Sequence, residues 1–162
     1  MSETKTMMKW SELQNLPVTI PSEGITIGTV VDCFFQPDTN AIYALKVRLR
    51  LLGERSLPIT GISSIETTGV AIPSAQMLIE RLPPLPLVSG LTTSLIKNES
   101  GNDVGKVNAI LLGTETPSTL RIVGIEMTNG TGKRTRTFGA DAVGSYRDGT
   151  IVVTDTAAKR LK

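Results

Sequence analysis

One short glycine pattern occurs twice in this chain, and it constrains the fold more than any other feature. Gly24-Ile25-Thr26-Ile27-Gly28-Thr29-Val30 lies over Gly101-Asn102-Asp103-Val104-Gly105-Lys106-Val107, matching both glycines and the final valine at a shift of 77 residues. Upstream, Ser11, Leu13 and Pro17-Val18 fall on Ser89, Leu91 and Leu95-Ile96 at a shift of 78, and downstream Leu45 to Leu49 fall on Val123 to Met127 at the same 78. A chain of 162 residues that repeats itself in this way has to be read as two small units before it is read as one large one.

Each unit reads as β-structure. Leu45, Val47, Leu49 and Leu51 alternate with Lys46, Arg48 and Arg50, and Val123, Ile125 and Met127 repeat the alternation. A period of two is the mark of a strand with one buried and one wet face. An earlier strand precedes each (29–35 and 106–112), joined by the turn-forming runs Gln36-Pro37-Asp38-Thr39-Asn40 and Gly113-Thr114-Glu115-Thr116-Pro117-Ser118. Short apolar pieces follow around Leu57 to Ile59 and Thr137 to Phe138, then Ile62 to Ile65 and Val70 to Ile72, then Val143 and Ile151 to Val153, with a tight-turn signal at Arg147-Asp148-Gly149. Five or six short strands that close on themselves make a small barrel without aggregation-prone edges.

The only helical signal is 74–82, between Pro73 and Pro83-Pro84. The expectation is an all-β chain of two tandem small antiparallel β-barrels joined by a short helical, proline-rich connector: first barrel 1–73, connector 74–88, second barrel 89–156, solvated tail 157–162. Leu78, Leu82 and Leu85 make the connector unusually apolar for a free linker, so it either cements the barrels or offers a docking surface.

The pattern of an apolar start, a strand G-x-x-x-G-x-V, a Pro-Asp-Thr turn, a long alternating strand and a final short strand resembles the PRC-barrel, over about Trp10 to Ile72 and again over about Leu87 to Val153. That family includes the cytoplasmic domain of photosynthetic reaction-centre H subunits and the C-terminal domain of RimM-type ribosome maturation factors, and free-standing tandem forms of the cyanobacterial type are the nearest likeness. The chain departs from both by having neither a membrane helix nor an N-terminal RimM-like barrel. The likeness implies a non-catalytic protein-interaction or assembly module with a protein partner in a multi-subunit complex, a photosynthetic one at the cytoplasmic face of a membrane. The alternative it implies is an RNA- or ribosome-associated maturation factor.

Chemistry is sparse. Without a single histidine no Ser-His-Asp or Cys-His arrangement can be built, nor any imidazole-dependent zinc site. Asp32, Asp38, Asp103, Asp141 and Asp148 show no D-x-D clustering and sit at turns and strand ends. Gly130-Thr131-Gly132-Lys133-Arg134-Thr135 fails as a phosphate loop, because Met127 stands where the first glycine belongs and Arg134 where Ser or Thr should hold magnesium. No catalytic residue, cofactor or metal is therefore expected. The lone Cys33 lies in an apolar run and reads as a buried, inert thiol.

Net charge is only +2, but the halves differ: six Lys/Arg against eight Asp/Glu over 1–80, and eleven against seven over 81–162. Lys133, Arg134 and Arg136 form the densest positive cluster and could meet RNA phosphates, anionic headgroups or an acidic protein face. No run approaches the length of a membrane span or the core of a signal peptide, which points to a cytoplasmic chain, with peripheral membrane association left open.

Overall fold

The computed structural model describes residues 7–128, 135–147 and 149–160. The elements are β1 (Met7–Lys9), α1 (Trp10–Leu13), β2 (Pro17–Ile20), β3 (Ile25–Phe35), β4 (Ile42–Leu49), β5 (Gly53–Pro58), β6 (Ser64–Glu66), β7 (Gly69–Ala71), β8 (Leu95–Asn98), β9 (Asp103–Gly113), β10 (Arg121–Thr128), β11 (Thr135–Gly139), β12 (Val143–Arg147), β13 (Thr150–Val153) and α2 (Asp155–Arg160). They form two sheets, ordered β5-β4-β3-β2-β7-β6 and β11-β10-β9-β8-β13-β12, with β1 added to β9. The strand order is the same in both. In each sheet the first strand pairs in parallel with the last, Val18 opposite Val70 and Ile96 opposite Ile151, while the other ladders are antiparallel.

The correspondence extends to irregularities. A bulge leaves Ile27 unpaired between β2 and β3, and Val104 in the same place between β8 and β9. Val31 and Tyr43 bulge in the β3–β4 ladder where Asn108 and Val123 bulge in the β9–β10 ladder. The repeated glycines explain themselves here. Gly24 and Gly101 take the left-handed conformation, with φ of 67° and 88°. A Cβ on Gly28 would sit 2.7 Å from the Arg48 carbonyl oxygen, and one on Gly105 would strike the Thr128 carbonyl oxygen and lie 2.5 Å from Met127 Cε. Only glycine lets β4 and β10 approach so closely.

Register corrects one sequence alignment. Lys46 faces Asp32 and Glu126 faces Ala109, so β4 corresponds to β10 at a shift of 80, not 78. The turn after β9 is longer than the one after β3. Alternation could not detect the error, because a slip of two residues leaves every side chain on its own face. The alternation also ends earlier than expected: Leu49 pairs with Gly53, so Leu51 belongs to a three-residue hairpin tip, Arg50 to Leu52, and not to the strand.

Neither sheet has closed into a barrel. Among the described residues no ladder joins β5 to β6 or β11 to β12. Both sheets are nevertheless curled. Gly139 and Val143 are separated by three residues, a reach of about 15 Å at most, whereas the edges of a flat six-stranded sheet stand about 24 Å apart. A 3-10 turn lies in each gap: Ala140–Ala142 fills the second, and Ile59–Gly61 followed by Ile62 and Ser63 fills the first. The predicted connector helix is likewise absent. Ala75–Met77 make one 3-10 turn, capped by Ser74, and Ile79 then exchanges two 2.8 Å backbone hydrogen bonds with Ser56. The segment covers the edge of β5. Unpaired edge groups attract a strand more strongly than an isolated two-turn helix holds itself together.

The core is undivided. Leu45, Val47 and Leu57 of one half and Ile125, Met127 and Phe138 of the other belong to one continuous apolar cluster. The halves are joined by reciprocal contacts. Lys9 pairs with Leu111 while Leu87 bridges to Phe34, and Ile42 N donates to Leu120 O while Ile122 N donates to Asn40 O. Each half lends its leading segment to the long strand of the other, the pattern of an isologous interface inside one chain. Residues 157–160 of the expected tail belong to α2, which Thr154 precedes with its Oγ1 accepting from Ala157 N at 3.2 Å, and Ala158 joins the core.

Candidate interaction surfaces

At the junction of the halves the buried Asp32 and the half-buried Asn40, Ser89 and Tyr146 make hydrogen bonds from one half to the other. Asp32, 7% exposed, accepts from Cys33 N at 2.9 Å, from Ser89 N at 3.1 Å and from Ser89 Oγ. It thus fixes the start of the second half on the bulged strand of the first. On the far side of the loop after β3, Tyr146 donates its hydroxyl to Asn40 Oδ1 at 2.6 Å and meets Phe35 edge-on at 5.3 Å. Asn40 holds a left-handed φ of 63°, and its side chain is the acceptor for the half-buried phenol. Burial pushes the Tyr146 hydroxyl up to about 12.

An open groove of about 540 Å³ runs beside this junction, lined by Phe35, Pro37, Leu87, Tyr146 and Arg147 among others. Another, of about 590 Å³, lies between Ile59 and the Glu115 to Leu120 turn. Neither gathers carboxylates, and among the described residues no group of three Asp, Glu or Cys stands close enough to hold a metal. The acids singled out in the sequence are scattered: Asp32 is locked at the junction, Asp103 pairs with Lys97 at 3.9 Å, Asp141 lies in the 3-10 turn before β12, and Asp148 lies outside the described residues. Cys33 is fully buried, and desolvation, followed by the Asp32 charge, raises its thiol well above the usual range. A thiolate nucleophile is disfavoured there.

Of the basic cluster, Lys133 and Arg134 lie outside the described residues. Arg136 is exposed on β11 and donates to the Arg160 carbonyl at 3.3 Å. The connector leucines divide: Leu78 is half-buried against the core, Leu85 is half-buried and Leu82 is exposed. They differ in exposure along an irregular segment that contains bends.

The surface that sequence reading missed is the β4–β5 hairpin tip. Leu51 is 94% and Leu52 65% exposed, and Ile25, at the same end of the sheet, is 46% exposed. The tip is ordered. Arg55 donates to the carbonyls of Leu52 and Glu54 at 2.7 and 3.0 Å, and Gly53 adopts a φ of 77° to close the turn. Glu54 pairs with Arg48 at 3.1 Å and Lys46 at 3.3 Å, and its carboxyl is held low, chiefly by the Arg48 hydrogen bond. The signal was available in the adjacent Leu51-Leu52, which breaks strict alternation just before Gly53. It was hidden because Leu51 also fits the phase of the strand.

Among the described residues no helix is long and apolar enough to cross a membrane. The chain matches no protein-family model and no curated protein.

Proposed function

We propose that the chain is a non-catalytic interaction module, a tandem PRC-barrel-type scaffold that holds a protein partner within a multi-subunit complex. What carries this reading is how the polar groups at the junction, one buried and three half-buried, are used. Asp32, Ser89, Asn40 and Tyr146 satisfy one another across the halves, so they act as fasteners and are not held ready for a substrate. The identical strand order, bulges and glycine contacts of the two sheets support the tandem-repeat part of the proposal. The PRC-barrel likeness directs the first search to complexes at the cytoplasmic face of a membrane, photosynthetic ones included.

Affinity purification of the tagged full chain tests it. A stoichiometric protein partner, captured equally well at raised salt, is the expected result. Co-sedimentation with ribosomal subunits that collapses steeply with salt, and that Lys133→Ala, Arg134→Ala and Arg136→Ala together remove, would instead establish the RNA-associated alternative.

A further inference from the structure

We propose that the β4–β5 hairpin tip is a membrane-docking point, whose Leu51 and Leu52 enter the interface of an anionic lipid bilayer while Arg50 meets the headgroups. The inference stands on the hairpin alone and is independent of the protein partner proposed above.

Two adjacent leucines at the apex of an ordered turn are the most exposed large apolar side chains of the described residues. The turn does not need them: its conformation is set by Gly53 and by the Arg55 hydrogen bonds to Leu52 O and Glu54 O. Hairpin apices ordinarily carry polar residues that water can solvate, so leucines directed outward call for an apolar occupant. The turn backbone is hydrogen-bonded before docking, which leaves mainly the leucine rotamers to be ordered.

The shape and charge of the patch choose among occupants. Stable protein interfaces bury about 1,200–2,000 Å², and a convex tip of two leucines, with Ile25 at the same end of the sheet, offers a small fraction of that. A bilayer accepts a tip of this size, since shallow insertion scales with the apolar area buried and adds electrostatic attraction to anionic lipid. The hairpin carries four cations, Lys46, Arg48, Arg50 and Arg55, against one carboxylate, Glu54. Arg50 is exposed and has no partner among the described residues, which leaves it free for a phosphate. Glu23, on the neighbouring β2–β3 turn, is an acid at the same end and limits the attraction without cancelling it. A long arginine beside apolar residues at a surface can keep its charge in the headgroup layer while its stem and neighbours go deeper.

The test is flotation of the purified full chain with vesicles of phosphatidylcholine mixed with phosphatidylglycerol, and with phosphatidylcholine alone. Binding to the mixed vesicles that weakens with salt is expected. Leu51→Ser with Leu52→Ser should lower the partition coefficient by ~100-fold, about tenfold for each leucine, and Arg50→Gln by ~5-fold, with the thermal midpoint unchanged because none of the three is in the core. Leu51→Trp should give tip fluorescence that shifts to the blue and is quenched by lipid-borne quenchers, against a constant background from buried Trp10. No partition of the wild type into anionic vesicles, full partition of the double serine variant, or a water-like Leu51→Trp spectrum on bound vesicles would each overturn the proposal. Concentration-dependent dimerisation in sedimentation velocity that the serine variant abolishes, without vesicle binding, would do the same and assign the tip to a second copy of the chain.

Discussion

The two halves share a strand order, three bulges and a pair of glycine contacts, yet they are fastened to each other by different means at their two equivalent junctions. Where the first half reaches the second, β1 forms a three-residue ladder with β9, and Lys9 Nζ lies 3.7 Å from Glu126. Where the second half reaches the first, the equivalent segment makes only the Leu87–Phe34 bridge and the bond from Phe35 N to Pro86 O. Pro83, Pro84 and Pro86 explain the difference, since each lacks the N–H a ladder needs. The proline-rich junction has Asp32 on Ser89 instead, where the other junction has Ala109 and Ser11 at the corresponding places. A symmetric fold can thus be secured by backbone pairing on one side and by a buried carboxylate on the other.

The comparison is most severely tested in the core. Leu45→Ala and Ile125→Ala occupy equivalent positions and should each cost about 2–5 kcal/mol. Because the apolar cluster is continuous, calorimetry should show one unfolding transition in the wild type and in both variants. Two separated transitions would mean that the halves fold as independent units.

A somewhat smaller effect should separate the junctions. Asp32→Ala leaves the half-buried Ser89 groups without this acceptor and should cost about 1–3 kcal/mol in denaturant unfolding, whereas Ala109→Ser at the equivalent position, which loses no such bond, should stay well below that. Equal losses would erase the distinction drawn here. Gly28→Ala and Gly105→Ala should match each other instead, at about 1–3 kcal/mol, since each drives a methyl group into a neighbouring strand.

The smallest effect concerns Tyr146. Its folded pKa of about 12 exceeds the ordinary value near 10, so its contribution to stability is complete below about pH 10 and is lost as pH rises from there through about 12. Tyr146→Phe should remove about 1 kcal/mol through the lost bond to Asn40 and flatten part of the alkaline decline in the unfolding midpoint. An unchanged decline would place the titrating group elsewhere.

Much of this was readable in advance, and the rest failed for definite reasons. The glycine pair was visible as a motif, because left-handed φ and close strand approach both exclude a side chain at the same relative positions. The matches of Leu13 with Leu91 and of Val18 with Ile96 also held, since all four are buried. The long strand of the second half was placed two residues out of register, and Leu51 was assigned to the long strand of the first half, because alternation is blind to even shifts and to where a hairpin turns. The Leu51-Leu52 tip went unnoticed for that reason. Residues 74–82 read as a helix between prolines, but the open edge of β5 pairs with Ile79 instead.

The sequence alone determined which residues could be inside: period-two alternation and local backbone demands are properties of neighbours along the chain. It therefore specified mostly antiparallel sheets and their repetition. Tertiary structure alone decided that the sheets stop short of closure, that each half reaches across to the other, and that the core is common to both. Those outcomes depend on which unpaired strand edge lies nearest to which segment in space, and no local pattern records that distance.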